Sequence, residues 1–180
     1  MSKKKKRTRA KNLPYQEAGA KLLTVAGEHL KSGDEEVGLR SLTKEVGTST
    51  NAVYSLYGSK DILFLAAAKQ TFQEEYETPK EITVEAVTEQ LHKVASKWPA
   101  LFRATHATPS KVGATALTRP HVDPVALSAT PLIVDQYMQA LGGDKAEAEK
   151  WWRRVYSYLA GATLAGEMPT LEETLAVGAM

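Results

Sequence analysis

Residues 38–63 read Gly38-Leu-Arg-Ser-Leu-Thr-Lys-Glu-Val-Gly-Thr-Ser-Thr-Asn-Ala-Val-Tyr-Ser-Leu-Tyr-Gly-Ser-Lys-Asp-Ile-Leu63, and this stretch decides the fold. Leu39 to Val46 makes two helical turns, and Gly47 can take the left-handed conformation that ends a helix. Ser49 or Thr50 caps a second short helix through Tyr57. Gly58-Ser59 breaks that helix, and Ser59 caps a longer one. Leu42 and Val46 face inward from the first short helix, Val53 and Tyr57 from the second. The pattern predicts a helix-turn-helix. Its tight turn lets the helices cross steeply and leaves the polar N-terminal residues of the second free to enter a DNA major groove.

On both sides of this stretch the spacing predicts further helices and no sustained alternation of apolar and polar residues. A first helix opens near Pro14, runs to about Lys31 and buries Ala18, Leu22, Val25 or Ala26, and Leu30. The helix after Ser59 extends to about Tyr76 with a stripe of Ile62, Leu65, Ala68, Phe72 and Tyr76. Thr78-Pro79 marks a boundary, and Glu81–Trp98 follows with Val84, Val87, Leu91, Val94 and Trp98 on one face. A short helix around Leu101–His106 leads into a loop or broken region carrying Pro109, Gly113, Pro120 and Pro124. Thr130-Pro131 starts a helix to about Leu141, Asp144 caps a long one to about Gly166, and Pro169-Thr170 opens the last. The chain is expected to be all-α, with an N-terminal three-helix domain and a C-terminal helical bundle.

The net charge of +2 over 180 residues hides an asymmetry. Residues 1–11 hold seven of the 23 Lys and Arg and no acid, which leaves 16 basic against 21 acidic residues and a body of about −5. A basic arm on an acidic body seeks a polyanion with the arm alone. Nucleic acid is the first such partner, an anionic membrane the second and a solvated tail the plain alternative; Ser2, where myristoylation requires glycine, and the lack of a partnering amphipathic signal set the membrane aside. The chain has no cysteine, so disulfides and thiolate chemistry are excluded. The longest uncharged apolar-leaning stretch, Val155 to Gly166, falls short of the roughly 18 residues of a membrane span. No secretory leader is recognisable, and a cytoplasmic location is expected.

The pattern Gly47-x-Ser49-x-x-x-Val53-Tyr54-x-x-Tyr57-x-Ser59-Lys60-Asp61-x-Leu63 resembles the DNA-binding domain of the tetracycline-repressor (TetR/AcrR) family. The resemblance covers residues 14 to about 76. Three positions depart from the family's pattern: Leu56 replaces a common histidine, Thr48 a valine and Gly38 a capping threonine. The resemblance implies a basic arm (1–13), a DNA-binding domain (14–60) and a ligand-binding and dimerisation domain (61–180) whose first element (61–77) is a connecting helix.

It also implies roles. Asn51 pairs with adenine, Thr50 and Ala52 offer methyls to thymine, and Ser55 reaches a further base or a sugar. Arg40 matches a position that reads guanine in some members. Ser41, Ser49, Tyr54 and Lys60 suit phosphates, which position a domain without reading sequence. One short recognition helix reads only a few base pairs, so a homodimer on a palindromic double-stranded operator is expected.

In the long helix after Asp144, the stripe Trp151, Val155, Leu159 and Ala162 would face the subunit core, and Trp152, Tyr156 and Thr163 a partner. The family further implies a small-molecule effector pocket, for which Trp98, Phe102, His106, Tyr137, Met138, Trp152 and Tyr156 are the candidates. Enzyme readings lack a motif: the four histidines form no His-x3-His pair and no phosphate-binding glycine loop occurs. His121-x-Asp123 beside His106 is weak as a metal set, and no catalytic residue, metal or cofactor is expected. The expectation is a ligand-responsive repressor. The alternative is a helical ligand-binding or interaction module whose helix-turn-helix no longer reads DNA.

Overall fold

The computed structural model describes residues 15–107, 112–113, 119 and 122–180. The expected basic arm, the helix start at Pro14, His121 and the prolines 109 and 120 lie outside them. Among the described residues the chain is all-α. In order come α1 (Tyr15–Ser32), α2 (Leu39–Val46), α3 (Thr50–Tyr57), α4 (Lys60–Glu75), α5 (Val84–Lys97), α6 (Pro99–Ala104), α7 (Thr130–Ala140), α8 (Lys145–Ala165) and α9 (Leu171–Ala179).

Side-chain caps place most of the starts. Ser49 accepts from the Ala52 N–H, Ser59 from Ile62, Thr83 from Ala86 and Asp144 from Glu147, each relieving a donor that the first helical turn leaves unpaired. Thr170 and Glu173 cap each other reciprocally at the start of α9. Gly38 has no side chain to offer, so α2 begins without such a bond. The helix predicted from Glu81 starts at Val84 instead, because Thr83 holds an extended backbone and takes the cap. Gly47 ends α2 at φ 76°, in the left-handed region that favours glycine.

The buried residues gather in two main cores. The first joins Leu22, Ala26 and Leu30 of α1 to Leu42, Val46 and Val53 of α2 and α3. The second joins Val87, Leu91 and Val94 of α5 to Ile133 and Tyr137 of α7 and Trp152, Val155 and Leu159 of α8. Two helices serve both. α4 sends Leu63, Phe64 and Ala67 into the first and Phe72 into the second, while α6 sends Leu101 to one and Phe102 to the other. That is why α4 is buried around most of its circumference. α1 lies so close to α4 that a Cβ at Gly27 would meet Thr71 Oγ1 at 2.1 Å.

The long helix α8 differs from its expected orientation. It buries Ala148, Trp152, Val155 and Leu159, so Trp152 belongs to the core of the chain itself and not to the outward-facing stripe expected for it. Trp151 is only half-buried, and its ring lies against Gly178 of α9. A Cβ at Gly178 would stand 2.1 Å from Trp151 Cζ3. The helix thus presents Trp151 to α9, which turns its neighbour Trp152 about 100° further, into the core.

Candidate functional site

The α2–α3 unit is built on α1. Val53 of α3 is buried, Leu56 and Tyr57 are partly so, and the Tyr57 hydroxyl donates to the Gly19 carbonyl at 2.9 Å. A Cβ on Gly19 would lie 3.6 Å from both Leu56 Cδ1 and the Tyr57 oxygen, so α1 and α3 are in close contact here. This accounts for leucine at position 56: it packs on α1.

At about 100° per residue, Thr50, Asn51, Tyr54 and Ser55 share the opposite face of α3. Asn51 and Ser55 are exposed, Thr50 is half-exposed, and Tyr54 is 55% exposed, which sets it among the few large apolar side chains left to solvent. Ser49, at the start of this face, is exposed while its side chain caps the helix. Ala52 departs from the expected set. It is 8% exposed and belongs to the buried surface, which leaves almost none of its methyl for a thymine.

Arg40 and Ser41 on α2 are exposed, as is Lys44. Arg40 and Lys44 have no acidic partner among the described residues. Glu45, the one acid of α2, is engaged by His29, whose two ring nitrogens lie 3.1 Å from Glu45 and 3.0 Å from Asp34. The face therefore presents free cations, hydroxyls and an amide without a free carboxylate on α2 or α3. Lys60 is placed differently. Its ammonium lies 5.2 Å above the Phe64 ring, in a cleft shared with Glu35, Glu36 and Arg103.

Of the expected pocket residues, four converge. Phe102 and His106 come from α6 and the turn after it, Trp152 and Tyr156 from α8. Tyr156 lies with its ring centroid 5.4 Å from that of Phe102, 4.8 Å from His106 and 5.1 Å from Trp152. His106 Nδ1 is 2.9 Å from Thr130 Oγ1, a partner 24 residues away that no spacing rule reveals. The Tyr156 hydroxyl donates to the Arg103 carbonyl, and burial pushes its ionisation up to about 12.

The other three lie elsewhere. Tyr137 is fully buried, donates to Thr88 Oγ1 at 2.8 Å and packs by Trp151; burial raises its pKa above the ordinary phenol value. Met138 is partly buried at the edge of the same core. Trp98 sits with the first core, its indole donating to Glu75 at 3.2 Å and its ring covered by the ammonium groups of Lys31 and Lys97.

Beside the converging group is a cleft of about 300 Å³, walled by His106, Thr130, Pro131, Val134 and Trp152. Among the described residues no three His, Asp or Glu side chains come together as metal ligands, and no helix is long and apolar enough to cross a membrane. No family model, curated protein or solved structure matches the chain.

Proposed function

We propose that the chain is a sequence-specific DNA-binding regulator of the tetracycline-repressor type, acting as a cytoplasmic homodimer on a palindromic operator and released by a small ligand. The observation that carries this reading is the face of α3. Its buried side is spent on α1, while Asn51, Ser55 and a largely exposed Tyr54 point away from the core beside unpaired Arg40 and Lys44. A helix so mounted can enter a major groove, Asn51 offering the donor and acceptor that match adenine. The lysine-rich segment 3–11 precedes α1 and supplies sequence-independent attraction to phosphates.

Dimerisation is supported by α8, where Gly161 and Ala165 leave a shallow exposed surface and Leu164 is 73% exposed. A second copy would cover it. Two recognition helices would then read half-sites roughly one turn of DNA apart. Ligand acts by binding better to the arrangement in which they are wrongly spaced, and inverting a strongly bound population requires a preference of about 5 kcal/mol.

A second reading, a helical ligand-binding module that no longer reads DNA sequence, is favoured by Lys60 over Phe64 and by the uncapped start of α2. Selection of bound duplexes from a random pool at two salt concentrations separates the two. An enriched inverted repeat that disappears for Asn51→Ala supports the regulator. Binding without a motif, fading steeply with salt, leaves only the arm gripping phosphates and overturns it.

A further inference from the structure

Among the described residues, the indole nitrogen of Trp152 is the one buried side-chain polar atom without a hydrogen-bond partner. Trp152 is 1% exposed, and its N–H can only donate. Leaving such a donor unpaired is unfavourable, because it gives up its bond to water on folding and gains none in return. The hydroxyls of Tyr57, Thr88, Tyr137 and Tyr156 all have partners, so the exception calls for a reason. Trp152 also forms part of the wall of the cleft between the turn after α6, α7 and α8.

We infer that this cleft binds a small uncharged molecule with a flat apolar body and one carbonyl-type acceptor, which takes the Trp152 N–H. The size follows from the cleft, whose volume of about 300 Å³ is at the lower end for small-molecule sites and suits one or two rings. The apolar body follows from the walls, where Pro131, Val134 and the indole surround His106 and Thr130, two groups already bonded to each other.

Neutrality follows from where the charges lie. Asp135, Lys145, Glu149 and Arg153 stand at the rim, two of each sign, and Arg153 is drawn to Glu149 at 3.7 Å. An anion or ammonium carried down to Trp152 would lose its water without gaining an ionic partner there. A ketone or amide oxygen loses little water and repairs the unpaired donor. The Trp152 nitrogen is buried in the ligand-free chain, so contact requires a movement of the Trp152 ring or of the cleft wall around it, where Val125 is 42% exposed.

The inference names the chemistry of the effector in the function proposed above and rests on that reading for its regulatory meaning. Binding itself is measured on DNA-free protein, so failure here leaves DNA recognition standing, and failure of DNA recognition leaves the cleft standing.

The test follows the three indole N–H resonances of the nitrogen-15-labelled full chain by NMR. Trp152 is assigned by loss of its peak in Trp152→Phe. Should that variant not fold, Trp98→Phe and Trp151→Phe assign it by elimination. The probes are acetophenone, its hydrocarbon shape-mate α-methylstyrene, and benzoate. Acetophenone is expected to shift the Trp152 peak downfield in a saturable way and to bind at least about five-fold tighter than either comparison compound, as one hydrogen bond of about 1 kcal/mol requires. Equal binding by the hydrocarbon, tighter binding by benzoate, or no saturable shift at Trp152 overturns the proposal.

Discussion

The hydroxyl of Tyr156 donates to the main-chain carbonyl of Arg103 at 2.6 Å, and the Arg103 guanidinium in turn pairs with Glu35. Glu35 lies in the connection between α1 and α2. One aromatic side chain on α8 is thus tied through α6 to the segment that leads into α2, and the ring of that same Tyr156 packs on His106 and Trp152. Tyr156→Phe keeps the ring and removes only the hydrogen bond. It is expected to cost about 1 kcal/mol, read as a fall of roughly 2–4 °C in the thermal midpoint. An unchanged midpoint would mean that the bond adds nothing over water.

Burial raises the phenols of Tyr57, Tyr76, Tyr137 and Tyr156. In the unfolded chain each ionises near the ordinary value of about 10. A folded value above the unfolded one means that the native state holds its proton longer. The associated stability is complete below about pH 10 and is lost as pH rises through about 12, the value for Tyr156. Absorbance at alkaline pH should therefore show these tyrosines ionising together with loss of helical circular dichroism. Smooth ionisation ahead of unfolding would contradict it.

Acid acts through Glu75. Its carboxylate accepts from Lys31 at 2.7 Å and from the Trp98 indole, and those bonds, Lys31 first, hold its pKa below the ordinary carboxylate value. The contribution is present above that ordinary value and is lost as pH falls through the lowered one. The side chain is 23% exposed, so solvent screening keeps the contribution below about 1 kcal/mol. Glu75→Gln should melt below wild type at neutral pH, and the gap should close as pH falls from the ordinary carboxylate value through the lowered one. A difference independent of pH would point to packing instead of charge.

Gly178 is required by a close approach. A methyl there would overlap the Trp151 ring, with Cε3 only 2.3 Å from the added carbon. Gly178→Ala should lower stability by about 1–3 kcal/mol in chemical denaturation despite alanine's better helix propensity. The pair Gly178→Ala with Trp151→Leu should recover part of the loss, because the smaller side chain vacates the overlap.

If the proposed function holds, Asn51→Ala should cost about 1–3 kcal/mol of DNA affinity and relax preference at one base pair in each half-site. Tyr54→Phe should weaken selected and scrambled duplexes alike, by about 1 kcal/mol, if its exposed hydroxyl meets a phosphate. Fluorescence anisotropy on both duplexes checks each. A sequence-selective effect of Tyr54→Phe would move that residue from positioning to reading.

Most helix starts and stops were legible in the chain itself, the start at Val84 instead of Glu81 being an exception. Ser49, Ser59, Asp144 and Thr170 cap bonds three residues away, Gly47 closes a turn, and Ala18, Leu22, Ala26 and Leu30 recur every four residues. All of these are short-range effects whose partners stand within one helical turn, so residue order suffices to place them. The exposed face of α3 follows for the same reason, since the periodicity that buries Val53 leaves Asn51 and Ser55 outside. Only tertiary packing could decide the rest. Whether Trp151 or Trp152 enters the core depends on α9 and a glycine 27 positions from Trp151; Ala52 is covered and Lys60 is drawn over Phe64. Phe102 and His106 meet Trp152 and Tyr156 across some fifty residues, where close packing between helices, not spacing within one, determines which side chains touch.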